Sequence, residues 1–205
     1  MDHISKYETF LNEYFKPNFE QLGEMQKLLN TLEENGIDAS EWGKHESKTL
    51  YHLFLEIDSG ETYLKKIGSR LIREVSFIGC IIIHKKGYTW EKLREEKQIF
   101  KDDRVRKREE LPYGLAEKFK SGENHKEVVI RGIKEELGID INEDQITYNN
   151  KRVLHEKDSH DYPGLMSKHT GYEYLIEFND DQYNEDGYIE KQEDKSVYFT
   201  WIELY

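Results

Sequence analysis

Apolar side chains recur at helical spacing over the first seventy residues. Tyr7, Phe10, Leu11, Tyr14 and Phe15 fall three or four apart, as on the inner face of an amphipathic helix. Pro17 interrupts this run and suits the first turn of a second helix. Leu22, Met25, Leu28, Leu29 and Leu32 form the apolar stripe of that helix, and Asn35-Gly36 ends it. A third helix is expected over residues 47–57, with Leu50, Tyr51, Leu53, Phe54 and Ile57 inward. Ser59-Gly60-Glu61 then punctuates the chain before another short helical turn.

The period changes near Leu71. Residues 74–84, EVSFIGCIIIH, are apolar and rich in β-branched side chains, which predicts a central strand. Lys85-Lys86-Gly87 is a turn, and residues 88–100 form the next strand despite the helix-like middle EKLREEK. Further strands are expected at Val153-Leu154, over residues 173–178 and over residues 197–202. Helices first, then strands around one later helix, indicate an α+β fold. The expected division is a helical extension over residues 1–70 and an α/β/α sandwich over residues 71–205.

Composition narrows the partners. The net charge of −12 repels duplex nucleic acid and anionic membranes. It still permits a small anionic substrate where basic groups and a metal overcome the field locally. Cys80, the single cysteine, forms no internal disulfide and sits in an apolar run. It reads as a buried small hydrophobe and suits a reducing cytoplasm. The longest apolar run, residues 77–83, is strand-sized. The N-terminus lacks the basic region and apolar stretch of a signal peptide.

Residues 111–140, LPYGLAEKFKSGENHKEVVIRGIKEELGID, carry the chemistry. Asn124 is placed as an N-cap, Glu127 completes a capping box, and Gly138 stops the helix. Val129, Ile133 and Leu137 share one side, and Arg131, Glu135 and Glu136 share another. Adjacent carboxylates near a helix C-terminus are unfavourable to the macrodipole and gain from a cation. Beside an arginine and opposite a glycine-containing loop, they suit Mg²⁺, which takes one or two protein carboxylates and completes its shell with water and phosphate oxygens. The competing reading is a solvated acidic face with an i,i+4 Arg131–Glu135 pair.

Spacing shifts the balance between the two. From Glu123 the chain runs seven residues to Arg131-Gly132-Ile133-Lys134-Glu135-Glu136-Leu137-Gly138-Ile139, preceded by Leu111-Pro112-Tyr113-Gly114. This resembles the box of the Nudix hydrolase superfamily: Gly, five residues, Glu, seven residues, then Arg-Glu-apolar-any-Glu-Glu-any-Gly-apolar. Eight residues, not five, separate Gly114 from Glu123, and Gly132 stands where the box has a glutamate. A wider similarity, to a divergent Nudix-like group, includes Glu41-Trp42-Gly43, Lys48-Thr49, Gly60-Glu61, Arg73, Gln98, Asp103-Arg104, Arg106, Ala116-Glu117-Lys118, Tyr162-Pro163-Gly164-Leu165 and Phe199-Thr200-Trp201.

The resemblance implies a Nudix-type α/β/α sandwich with a mixed sheet and a helical N-terminal extension. It implies a hydrolase that cleaves the pyrophosphate bond of a nucleoside diphosphate linked to another moiety, with Mg²⁺ or Mn²⁺. Glu135 and Glu136 hold the ion in that picture, with Glu123 and the Gly114 carbonyl nearby, and Arg131 orients the glutamates. The missing glutamate at Gly132 opens two alternatives, an attenuated nucleotide-binding sensor and an interaction protein with a vestigial site. A replacement acid comes from Glu117, Glu123 or a downstream loop.

Other segments supply supporting groups. Arg104, Arg106 and Arg108 alternate and, if extended, project to one side, an arrangement for gripping phosphates with Lys118 assisting. Their plainer reading is a charged edge strand. Residues 182–193 imitate a calcium loop but begin with Gln182 and read better as an acidic surface loop, one able to offer a further carboxylate. His155, Asp158, His160 and Asp161 match no zinc spacing and read as a loop. The N-terminal helices suit a homodimer or, more simply, cover for the domain's own core.

Overall fold

The structure is a computed structural model that describes residues 19–44, 47–108, 112–155 and 158–204, without the side chains of residues 19 and 151–155. The helix expected around Tyr7–Phe15 lies outside the described residues. The chain separates into two compact units. One comprises residues 1–75 and 155–168, the other residues 76–154 and 169–205.

Among its described residues, the first unit holds α1 (Phe19–Glu34) and α2 (Leu50–Asp58). The stripe read from the sequence is what α1 buries: Met25 and Leu32 are fully inside, with Leu22, Leu28 and Leu29 against them. Thr49 caps α2 by accepting from the His52 N–H at 3.2 Å, and Leu50, Leu53 and Phe54 point inward. The expected helical turn after Gly60 is instead a strand, β1 (Thr62–Ile67). It pairs antiparallel with the start of β2 (Arg70–Lys86), Ile67 opposite Arg70. Gly68-Ser69 is therefore a two-residue hairpin loop, and Gly68 takes the positive φ of 62° that such loops require.

A buried polar network ties this unit together. Arg73, 1% exposed, donates to Glu56 at 2.6 Å, and Lys48 donates to the other oxygen of Glu56 at 2.7 Å. The Arg73 guanidinium lies 5.0 Å from the centre of the Tyr162 ring. Trp42 packs on the same ring at 5.1 Å and donates its indole N–H to the Pro163 carbonyl. Gly43 has φ 85°, and a Cβ there would sit 2.8 Å from the Thr49 methyl. Trp42-Gly43, Lys48-Thr49, Arg73 and Tyr162-Pro163 thus belong to one structural cluster.

The second unit holds the rest of β2, then β3 (Thr89–Phe100), β4 (Val105–Lys107), β5 (Leu115–Lys118), α3 (His125–Leu137), a 3-10 turn (Glu143–Gln145), β6 (Ile146–His155), β7 (Met166–Phe178), β8 (Tyr188–Lys191) and β9 (Lys195–Leu204). The strand order is β6-β7-β2-β3-β9-β8, with β4 on β3 and β5 on β2. Strands β2 and β7 each contribute residues to both units. The α+β class is as expected, with helices ahead of a large sheet. Residues 88–100 are indeed a strand, because β3 is zipped to β9 from Trp90–Leu204 to Phe100–Lys195 and cross-strand pairing overrides the helical propensity of EKLREEK.

The core of this unit lies between α3 and the sheet. Val128, Val129, Ile133 and Leu137 of α3 meet Ile78, Cys80 and Ile82 of β2, Leu93, Leu115, Ile176, Phe178, Val197 and Phe199. Burying each aliphatic side chain contributes about 1.5–3 kcal/mol, which fixes α3 over the sheet and leaves its Arg131–Glu135–Glu136 side outside this apolar core. No described helix is long and apolar enough to cross a membrane.

Candidate functional site

Helix α3 begins as its sequence dictates. The Asn124 side chain accepts from the N–H groups of Lys126 and Glu127, and the Glu127 carboxylate accepts from the Asn124 N–H at 2.8 Å. Gly138 closes the helix in the left-handed region, φ 72°. The loop ahead of it is anchored at Gly114, whose N–H donates to the Cys80 carbonyl at 2.9 Å. A Cβ on Gly114 would lie 2.7 Å from the Leu93 carbonyl oxygen, so the sheet excludes any side chain there. Part of the lengthened segment after Gly114 is strand β5, which pairs Cys80 with Leu115 and Phe77 with Lys118.

Arg131 organises the site, and five donor contacts occupy its guanidinium. Nε donates to Glu123 Oε1 at 2.6 Å and Nη2 to Glu123 Oε2 at 3.0 Å. Nη1 donates to Glu117 at 2.9 Å and to Glu135 at 3.1 Å, and Nη2 also reaches the Lys118 carbonyl at 2.8 Å. Glu123 further accepts the Lys120 N–H at 2.7 Å. Hydrogen bonding from Arg131 holds the Glu123 carboxyl below the usual carboxylate range. Glu123 is thus turned into the arginine fork, which fastens the loop to the helix.

Gly132 has a local explanation. A Cβ there would sit 3.1 Å from Glu117 Cβ, 3.2 Å from Glu117 Cγ and 3.2 Å from a Leu115 methyl. The side chain of Glu117, from β5, fills the space beside the helix that a residue at 132 would otherwise use.

Glu135 is about half exposed, within 3.7 Å of Lys120 as well as bonded to Arg131. Glu136 differs. It is partly buried, and among the described residues no hydrogen bond or ion pair reaches its carboxylate. Burial and the neighbouring charges of Glu190, Glu117, Glu95 and Glu135 push its pKa up to about 9. These neighbours come from β8, β5, β3 and α3, so the sheet assembles an acidic cluster that no stretch of sequence displays. A register shift between Glu95 and Lys97, where β3 faces β9, lies beside Glu95; bulges of this kind re-aim side chains.

The basic row is only partly assembled. Val105–Lys107 is a short strand paired with β3, Arg106 opposite Gln98. Arg104 folds back onto Asp102 at 2.7 Å and lies over the Phe100 ring. Arg106 is exposed, and Arg108 reaches within 3.5 Å of Glu95, at the border of the acidic cluster. Lys118 lies on β5, in register with Phe77. The three arginines therefore do not form one uniform grip. In the calcium-loop imitation, Asn184 donates to the Gly187 carbonyl and accepts the Trp201 indole N–H on its own carbonyl, so its groups serve the loop itself. That segment does contribute Glu190 to the acidic cluster. Cys80 is buried at its edge, where burial raises the thiol pKa and keeps it protonated.

Among the described residues, no three His, Cys, Asp or Glu side chains form a ready metal cage. The donor set still fits a hard divalent ion bound through one or two carboxylates. It is all oxygen, it carries excess negative charge, and no ion pair to Glu136 is made by a described residue.

Comparison with protein-family profiles finds no match, nor does comparison with curated proteins. Among solved structures, the chain is similar to an Ap4A hydrolase of C. elegans, with 16% identity over 62% of this chain and 79% of that one and a TM-score of 0.34. It is similar to a MutT/nudix family protein from Enterococcus faecalis, with 12% identity over 84% of this chain and 55% of that one and a TM-score of 0.43. The NUDIX domain of Shewanella oneidensis NrtR, solved with ADP ribose, shows 11% identity over 62% of this chain and 71% of that one, with a TM-score of 0.34. In its box, and in the glycine-anchored loop that leads into α3, the chain resembles the Nudix superfamily.

Proposed function

We propose that this chain is a Mg²⁺- or Mn²⁺-dependent hydrolase that cleaves a pyrophosphate bond in a nucleoside diphosphate linked to another moiety. The observation that supports it is Glu136: a partly buried carboxylate, crowded by Glu190, Glu117, Glu95 and Glu135, with no ion pair to a cationic side chain among the described residues. Glu136 and Glu135 would hold the ion, and the Gly114 carbonyl lies on the loop that Arg131 ties to the helix. Such an ion supplies charge neutralisation for the diphosphate and an acidified water.

The chain's own residues divide the remaining work. Arg131 holds Glu117, Glu123 and Glu135 in fixed positions, so no reorganisation is required when substrate arrives. A carboxylate of the cluster accepts the proton of the attacking water. Arg106, Arg108 and Lys118 are the basic groups assigned to the phosphates, and Arg104 would have to leave Asp102 to join them.

Gly132 favours a second reading, a nucleotide-binding sensor of the same fold, because the box glutamate is missing. A panel of nucleoside diphosphate conjugates assayed with and without Mg²⁺ separates the two. Metal-dependent release of a nucleoside monophosphate supports the enzyme. A raised melting temperature with no turnover supports the sensor.

A further inference from the structure

We infer that Glu117 replaces the carboxylate that Gly132 lacks, so that the acid missing from the helix is supplied by strand β5. This inference rests on the metal-site reading above. The space a side chain at 132 would enter is filled by the Cβ and Cγ of Glu117, which lie 3.1 and 3.2 Å from where a Cβ at 132 would stand. The two side chains therefore compete for one volume: a glutamate at 132 requires a smaller residue at 117, and Glu117 leaves no room at 132 for a long side chain.

The hydrogen bonds select Glu117 over the other candidate from this region. Glu123 gives both oxygens to Arg131 and accepts the Lys120 N–H in addition. Glu117 gives only Oε1 to Arg131, at 2.9 Å, and Oε2 makes no hydrogen bond with a described residue. That contact orients the Glu117 carboxylate. Glu117 also lies close enough to Glu136 for their charges to repel. A carboxylate arriving from the strand explains why glycine is tolerated in the helix interior, where it costs roughly 1 kcal/mol relative to alanine.

The test is Mn²⁺ binding to the full chain in the absence of substrate, measured by calorimetry and electron paramagnetic resonance. Glu117→Gln keeps an acceptor for Arg131 and removes the charge. It is expected to weaken Mn²⁺ affinity about tenfold or more, the scale seen when groups around a metal are altered. Glu117→Ala combined with Gly132→Glu moves the carboxylate back to the helix and is expected to restore Mn²⁺ affinity, although the strand contact with Arg131 stays lost. A purely structural Glu117 would show no such rescue. Wild-type affinity in Glu117→Gln, or no recovery in a folded double variant, overturns the inference alone. Absence of Mn²⁺ binding by the wild-type chain overturns it together with the reading on which it rests.

Discussion

Both carboxylate oxygens of Glu123 face the guanidinium of Arg131, at 2.6 Å from Nε and 3.0 Å from Nη2. The pair joins the loop before α3 to the middle of the helix, and the same guanidinium reaches Glu117 and Glu135. Removing it leaves three carboxylates without a shared cation. Arg131→Met is expected to destabilise the chain by about 2 kcal/mol, less than for a fully buried pair because water reaches the rim of the cluster. Arg131→Lys should recover little, since an ammonium cannot reproduce the planar fork. Urea denaturation of the three proteins checks this.

Gly132 faces Glu117 and Leu115 too closely for a branched residue. Gly132→Ala gains helix propensity but pushes on a flexible side chain, so its net effect on stability should stay within about 1 kcal/mol. Gly132→Val adds two methyl groups to the same contact and should cost about 1–3 kcal/mol through overpacking. Thermal denaturation of the pair compares them directly.

The raised pKa of Glu136 gives a signed pH dependence. Its ordinary value is 4.5 and burial among like charges raises it to about 9. The folded, metal-free chain therefore holds a proton that the unfolded chain has lost. This contribution to stability is complete below 4.5 and is lost as pH rises through about 9. In EDTA, the wild-type urea midpoint should fall relative to that of Glu136→Gln between about pH 6 and about pH 9. Saturating Mg²⁺ should flatten the difference, and Mg²⁺ binding at neutral pH should release a proton.

The first unit supplies an independent test. Arg73 is 1% exposed and bonded to Glu56 at 2.6 Å. Arg73→Met leaves Glu56 with Lys48 alone, and Glu56→Leu leaves the buried Arg73 guanidinium without that carboxylate, so each should cost about 3 kcal/mol, the lower end for a broken buried pair. The double variant should cost much less than the sum. A double-mutant cycle by chemical denaturation measures the coupling.

Local chemistry was legible wherever it is encoded in consecutive residues. The Asn124–Glu127 capping box, the Gly138 stop and the inward face of Val129, Ile133 and Leu137 all followed from spacing and are all present. The Gly68-Ser69 hairpin carried a local signal too, and β1 was missed because the short run after Gly60 was read as helix. Strands β4, β5 and β8 hold only three or four residues each, too few for an alternation to stand out. The acidic cluster was not legible as a whole. Glu95, Glu117 and Glu190 reach Glu136 through the pairing of β3, β5 and β8 into one sheet, a non-local arrangement. The reason for Gly132 was hidden likewise, since it lies in a neighbour fifteen positions earlier in the chain.

The most direct measurement of the proposed chemistry is hydrolysis of a nucleoside diphosphate conjugate by the wild-type chain and by the Glu135→Gln/Glu136→Gln double variant, each with Mg²⁺ and with EDTA. The account predicts nucleoside monophosphate release by the wild type only with Mg²⁺, and a loss of about a hundredfold or more in the double variant, equivalent to about 2.7 kcal/mol of transition-state stabilisation. Hydrolysis that persists at the wild-type rate in the double variant would contradict it.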